Sequence, residues 1–176
     1  MHLARQRVTT TMNDDLDQIT VQWQRQGITD ELLAMQLLGR FARLNKTLDL
    51  AFLHCYEQHG LKQGEFDVLA TLRRAGEPYS LSPSQLYQSM LLSSGAMSTR
   101  LDKLEQRALI QRRHCTEDRR AVHVSLTEQG KALIEQVLPE HIALQQRLMG
   151  NLTSEQQQQL NALLKVWLAG FTTPEV

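Results

Sequence analysis

Apolar residues recur at three- and four-residue steps through the first third of the chain. From residue 29 onward the stripe consists of Leu33, Leu37, Phe41, Leu44, Leu48, Ala51, Phe52 and Cys55. This spacing is typical of one face of a long helix. Gly60 predicts the end of that helix, because glycine readily adopts the left-handed conformation that follows a helix. Residues 1–28 are polar and mixed in charge, contain Trp23 and are interpreted as a partly ordered arm.

The middle of the chain predicts shorter helices. One is expected over residues 62–75 and another over residues 94–108. Between them, Ser82 is followed by Pro83 and, three residues on, by Gln85, which is a capping box and indicates the start of a short helix. The inward residues of the two outer helices are Phe66, Leu69 and Leu72, and Met97, Leu101 and Leu104. The short helix that starts at Ser82 and the helix over residues 94–108 lie only a few residues apart, and this spacing predicts a helix-turn-helix.

After Ala108 the hydrophobic period changes from 3.6 to 2, which indicates strands. Residues 109–114 and 121–126 predict a hairpin, or wing, around a polar turn at residues 116–120. A long helix follows Thr127, and Pro139 is expected to kink it. Thr153 and Gln156 form a second capping box ahead of a last helix. The apolar face of that helix consists of Leu160, Leu163, Leu164, Trp167 and Leu168.

These elements predict a mainly α fold with a small β wing, in which terminal dimerisation helices flank a winged helix-turn-helix core. The expected segments are an arm (1–28), a dimerisation helix (29–59), the winged helix-turn-helix domain (60–127) and C-terminal dimerisation helices (128–176). A winged core is nearly self-sufficient. The broad apolar stripes at both ends are therefore expected to pack against a second copy.

Composition and charge narrow the function. The chain has 41% hydrophobic residues, no signal-peptide-like run and no membrane-length apolar stretch, so a cytoplasmic globule is expected. The 19 basic and 19 acidic residues balance overall, but residues 60–127 hold 10 basic and 7 acidic residues. An electropositive centre suits phosphates, although a charge run is usually only a solvated face.

The chemistry of enzymes is not visible in this sequence. It has no Gly-rich phosphate loop, no HExxH, no CxxC pair and no nucleophile motif, so neither an enzyme nor a cofactor is expected. His54, Cys55 and His59 could suggest a metal. However, Cys55 belongs to the buried stripe and His54 is turned 100° away, so a core thiol beside a surface histidine is favoured and no metal site is predicted.

With these motifs placed, residues 30–171 resemble the MarR family of winged-helix regulators. Residues 60–72 look like the second helix of that family, and residues 92–105 (LSSGAMSTRLDKLE) look like its recognition helix. Asp118-Arg119-Arg120, followed by Leu126-Thr127 and Gly130, resembles the wing signature. Ala108 departs from the pattern, because relatives commonly have glycine there, and this weakens the local C-cap.

The resemblance implies a homodimer that binds a pseudo-palindromic operator in double-stranded DNA, normally as a repressor. A serine or threonine near the start of the recognition helix can hydrogen-bond phosphates or base edges. The family further implies that Arg119 or Arg120 reaches into the minor groove while Asp118 holds it in place. The predicted DNA-binding residues are Ser93, Ser94, Ser98, Thr99, Lys103, Arg113, Arg119 and Arg120. Capping alone remains an alternative for Ser93 and Ser94.

A ligand site is suggested by resemblance to the urate-responsive branch of the same family. That branch uses an arm tryptophan, a helix-two aspartate and two arginines, which match Trp23, Asp67, Arg100 and Arg112. An aromatic anion would then stack near Trp23, meet Arg112 and disturb an Asp67–Arg100 pair. Another phenolic or aromatic carboxylate ligand, or no ligand at all, stays open.

Two other functions remain open from the sequence. One is a helical dimeric interaction protein that does not bind DNA. The other is a cysteine-based redox-sensing regulator, although no cysteine lies near the start of the long helix, where that type would require one.

Overall fold

The computed structural model describes residues 13–90, 97–114 and 122–171. The elements, in chain order, are α1 (Asp15–Arg25), α2 (Leu32–Glu57), α3 (Gln63–Arg74), β1 (Ser80–Leu81), α4 (Pro83–Ser89), α5 (Met97–Gln106), β2 (Ile110–His114), β3 (Val122–Leu126), α6 (Glu128–Leu148) and α7 (Ser154–Ala169). This confirms the predicted mainly helical fold with a small sheet. No described helix combines the length and hydrophobicity that a membrane span requires.

The predicted helix starts are confirmed in atomic detail. The Ser82 hydroxyl accepts from the backbone N–H of Gln85 at 3.2 Å, and the Gln85 side chain accepts from the backbone N–H of Ser82 at 3.0 Å. Thr153 and Gln156 form the same reciprocal pair at the start of α7. Such caps satisfy backbone donors that would otherwise lack partners. Pro139 lies inside α6, and the predicted kink there stays a prediction.

The described residues fall into two compact units that divide between Leu50 and Ala51, inside α2. In the first unit, α1 lies within the segment predicted as a partly ordered arm. Its start is fixed by a capping box between Asp14 and Asp17. Arg40 on α2 donates to both carboxylates at 2.8 and 2.7 Å, and Leu16 packs against Gly39. The arm prediction missed this helix because its acidic capping pair was not recognised.

The second unit contains the winged core. The buried residues of α3, α4, α5 and α6 surround the sheet, and the largest fully buried side chains include Leu69, Leu72, Leu86, Leu104, Ile110, Val124, Ile134 and Val137. The sheet has the order β1-β3-β2 with antiparallel pairing. The sequence did not predict β1, because two residues are too few to show an alternating pattern.

Candidate DNA interface and ligand site

Helix α5 presents a polar face to solvent. Leu101 and Leu104 are buried, whereas Thr99, Asp102, Lys103 and Gln106 are exposed. Leu101 and Leu104, which the sequence predicts to face inward, are therefore buried, and Met97 is half-buried. Ser98 is also exposed, and Arg113 is exposed on β2. Ser93, Ser94, Arg119 and Arg120 lie outside the described residues.

The flank of α5 that carries basic residues faces α3. Arg107 donates to the carboxylate of Glu65 at 3.1 Å, and the same carboxylate oxygen accepts from the backbone N–H of Lys62 at 3.1 Å. Glu65 is buried, so its charge requires these partners. About two turns earlier, the Arg100 guanidinium lies against Gly64 so closely that a methyl group there would collide with its Nε. Gly64 thus makes the room that Arg100 occupies.

Asp67 and Arg100 interact electrostatically but share no hydrogen bond at their buried atoms. Burial raises the pKa of Asp67 from 3.8 to about 6, and the charge of Arg100 lowers it by a smaller amount. Asp67 Oδ2 and Arg100 Nη1 are both buried without a hydrogen-bond partner. The expected Asp67–Arg100 pairing therefore takes the form of an electrostatic interaction without a direct bond between those two atoms.

An aromatic cluster lies close to Asp67. The Tyr56 hydroxyl and His141 Nδ1 are 3.0 Å apart, and the Tyr56 ring stacks on Phe66 at 4.3 Å between centroids. Burial, and then the charge of Asp67, raises the pKa of Tyr56 above its usual range. Burial lowers the pKa of His141, so its imidazole favours the neutral form. This part of the second unit is apolar, aromatic and sensitive to the charge on Asp67.

The other flank of α5 is acidic and faces β2. Arg112 Nη2 donates to Asp102, and the backbone N–H of Arg112 donates to Glu105 at 3.0 Å. Arg112 Nε lies 3.5 Å from Glu105, which is an ion-pair contact. The geometry falls short of a hydrogen bond, so Nε is buried without one. Sequence reasoning missed Asp102 and Glu105 as partners of Arg112, because no local pattern shows which strand lies beside a helix flank.

The base of the wing is held by close backbone contacts. Ala108 has a positive φ of 53°, and its carbonyl accepts from the Thr127 hydroxyl at 2.6 Å. Thr127 also caps α6 by accepting from the backbone N–H of Gly130 at 3.0 Å. A Cβ on Gly130 would collide with the backbone carbonyl oxygen of Leu109, so only glycine fits. The Ala108, Thr127 and Gly130 positions singled out in the sequence thus meet at one joint.

Trp23 lies on α1 in the first unit and is 40% exposed. Its predicted contact with a ligand stays a prediction. Among the four predicted ligand residues, the other three belong to the second unit. There Arg100 and Arg112 emerge at opposite flanks of α5, the first toward Asp67 and the second toward the wing.

The described residues give little support to a redox centre or a metal centre. Cys55 is buried, and burial raises the pKa of its thiol, which disfavours the reactive thiolate. Cys115 lies outside the described residues. No group of three or more His, Cys, Asp or Glu residues within ranges 13–90, 97–114 and 122–171 is arranged to hold a metal ion.

Known proteins are similar to this chain in sequence. The family model for the MarR family matches residues 61–122. The HTH-type transcriptional regulator PecS of Dickeya dadantii is 33% identical over 150 residues, which cover 85% of this chain and 90% of PecS. The repressor YetL of Bacillus subtilis is 31% identical over 70% of this chain and 73% of its own.

Solved structures agree. The C80S mutant of E. coli MarR complexed with operator DNA superposes with a TM-score of 0.67 at 28% identity, covering 80% of this chain and 99% of that one. The likeness to PecS extends over nearly the whole length of that protein, and the family model falls on the winged core. The chain therefore belongs to the MarR family of DNA-binding transcriptional regulators and is not an enzyme.

Proposed function

We propose that the protein is a homodimeric repressor that binds a pseudo-palindromic operator and is released from it by a small aromatic anion, with urate the first candidate. Because the proposed operator is chromosomal DNA, we also propose that the protein is cytoplasmic. The repressor assignment draws on YetL, whose name describes a repressor, and the operator on MarR, whose structure contains operator DNA. The ligand class draws on the geometry around α5.

The DNA-binding part is supported by the exposed polar face of α5. Ser98, Thr99 and Lys103 all reach solvent on a helix whose opposite side is buried, as a recognition helix in a major groove requires. Two such helices related by a two-fold axis meet half-sites about one helical turn apart. Arg113 is exposed on the adjacent strand, β2, and its positive charge suits a contact with a DNA phosphate.

The ligand-binding part depends on one observation above all. The buried side-chain atoms that lack a hydrogen-bond partner in the described chain are Asp67 Oδ2, Arg100 Nη1 and Arg112 Nε. Buried polar groups are normally satisfied, and an orphaned one carries a cost of about 1–3 kcal/mol. All three orphans belong to residues that resemble the urate-responsive site. Two cationic donors without a hydrogen bond, of which Arg112 Nε has an ion-pair contact with Glu105, favour an anionic ligand.

The proposed mechanism is differential binding. An anion that bonds to Arg100 competes with Asp67 for the same charge, so it prefers a conformation in which α5 has moved relative to α3. Coupling of about 1–3 kcal/mol, typical of allosteric proteins, changes operator affinity roughly 5–150-fold. Trp23 is included on the sequence resemblance, as a stacking surface for an aromatic ring.

The DNA-binding proposal is tested by selecting an operator from random duplexes and titrating it at several salt concentrations. Affinity is expected to fall steeply with salt, and Arg119→Ala with Arg120→Ala is expected to weaken binding more than about tenfold. A helical dimeric interaction protein would show neither effect. If unrelated duplexes bind as tightly as the selected one, the regulator proposal fails.

The ligand proposal is tested by calorimetry without DNA. Urate should bind the wild type, whereas hypoxanthine, a neutral purine of similar size, should bind much more weakly. A variant that combines Trp23→Ala, Asp67→Asn and Arg112→Ala should lose urate binding. Retention of wild-type affinity by this triple variant would locate the site elsewhere, and 4-hydroxybenzoate in the same panel tests the phenolic alternative.

A further inference from the structure

The two flanks of α5 carry opposite charge. On the α3 side lie Arg100 and Arg107, whereas on the wing side lie Asp102 and Glu105. At 100° per residue, Asp102 also lies near the outermost line of the helix, beside exposed Thr99 and Gln106. Two carboxylates at the edge of a DNA-reading face would repel phosphates.

Arg112 touches both of these carboxylates. Its guanidinium pairs with Asp102 and lies 3.5 Å from Glu105, while its backbone N–H donates to the second oxygen of Glu105. The side chains of Asp102 and Glu105 are still 54% and 41% exposed, so their charges face solvent as well as Arg112. The neighbouring Arg113 is exposed on the same strand.

We propose that Arg112 is a positioning residue that neutralises Asp102 and Glu105 and so keeps the DNA-reading face of α5 from repelling the operator. This inference rests on the proposed function. It also gives the ligand a second route to release, because an anion that captures Arg112 leaves both carboxylates uncompensated beside the DNA. In this role Arg112 acts through its two acidic partners and not through a phosphate.

A double-mutant cycle on the operator tests the proposal. Arg112→Ala is expected to weaken operator binding on the order of tenfold at low salt, since it uncovers two negative charges. Asp102→Asn with Glu105→Gln should bind at least as tightly as the wild type. Adding Arg112→Ala to that neutral background should change affinity less than about twofold.

Arg113→Ala is the matched control. Removing a residue that contacts phosphate directly lowers operator affinity by the same factor in both backgrounds. Arg113→Ala should therefore weaken binding equally with and without the two carboxylates. The proposal is overturned if Arg112→Ala also lowers operator affinity by the same factor in the wild-type and the neutral backgrounds. It is equally overturned if Asp102→Asn with Glu105→Gln lowers operator affinity, because one of the carboxylates then contributes to binding.

Two further measurements keep the outcomes separate. Thermal unfolding of every variant checks the fold. If Arg112→Ala does not fold, Arg112→Lys takes its place; it keeps the charge without the planar fork and should retain most of the wild-type operator affinity. Failure of the wild type to bind any selected duplex would contradict the proposed function. Wild-type binding without rescue in the neutral background would contradict this inference alone.

Discussion

Ala108 adopts a left-handed backbone conformation that its side chain disfavours. Its φ of 53° follows the end of α5. An L-residue in this region costs about 1–2 kcal/mol, because its Cβ approaches the following carbonyl. The Thr127 hydroxyl bonds to the Ala108 carbonyl and helps to hold this conformation. Strain is therefore stored at the joint between α5 and β2.

Ala108→Gly is expected to stabilise the protein by about 1 kcal/mol, since glycine adopts positive φ at little cost. Urea unfolding monitored by circular dichroism measures the change. Lys103→Gly, in the interior of α5, is the matched control and should destabilise by about 1 kcal/mol. A loss of stability in Ala108→Gly would show that the conformation is not strained.

Asp67 has a second residue-scale consequence, a dependence of stability on pH. Its carboxyl pKa is about 6 in the folded chain against 3.8 ordinarily, mainly through burial. The folded state therefore holds the proton more tightly than the unfolded state does. The associated stabilisation is fully present below about pH 4 and is lost as the pH rises through about 6.

Asp67→Asn should therefore become progressively more stable relative to the wild type as the pH rises from about 4 to 7. The free energy of unfolding in urea, measured at half-unit pH steps, gives the difference between the two proteins. The comparison uses the slope with pH, because the substitution also changes the surroundings of Arg100 at every pH. A difference that is constant over this range would contradict the raised pKa.

At the scale of elements, α1 is a docked helix. Salt bridges from Arg40 to Asp14 and Asp17 and from Arg43 to Asp15 join it to α2, and the Thr20 hydroxyl accepts from Gln36 at 2.9 Å. The guanidinium of Arg40 holds the pKa of Asp14 well below its usual range. Exposed ion pairs contribute little each, so the close contact of Leu16 with Gly39 is the main steric constraint.

Gly39→Val should loosen α1 without unfolding the second unit. A Cβ at Gly39 would approach Leu16 Cδ1 to 2.5 Å, so the two helices must separate or Leu16 must leave its buried position. Hydrogen exchange is expected to accelerate in residues 15–25 and to stay unchanged in α3 and α6. Ala42→Val, at an exposed position of the same helix, is the control and should leave α1 protected.

At the scale of the whole molecule, α7 carries a large uncovered apolar surface. Leu163, Val166 and Leu168 are 68%, 75% and 64% exposed, and Phe171 beyond the helix is also exposed. Leu160 and Leu164 are half-buried. Scattered exposed apolar residues are ordinary, but several on one helix indicate an interaction surface. This supports the proposed homodimer.

Leu163→Asp with Val166→Asp is expected to shift the protein from dimer to monomer in sedimentation at micromolar concentration, because the charges would be buried between copies. Operator affinity should fall with it, since a monomer reads one half-site. Gln159→Asp adds a charge at an exposed polar position of α7 and should leave the dimer intact. A wild-type protein that sediments as a monomer would contradict the dimer outright.

The sequence by itself determined the helices after α1, the wing strands and the buried side of α5. Hydrophobic period and capping boxes are local, so Ser82 with Gln85 and Thr153 with Gln156 identify helix starts without knowledge of the fold. Resemblance to the family likewise suggested Asp67, Arg100 and Arg112 as candidate ligand-binding residues. The short strand β1 and the acidic cap of α1 left signals too weak or too unusual to recognise.

Only the tertiary structure decided what these residues touch. Arg112 pairs with Asp102 and Glu105 because the turn after α5, where Ala108 has a positive φ, brings β2 back alongside that helix. The burial that raises the pKa of Asp67, and the exclusion of any side chain at Gly130, arise from elements distant in sequence. Local patterns encode periodicity, whereas charge pairing and burial depend on packing between elements, and this packing determines how α5 is held.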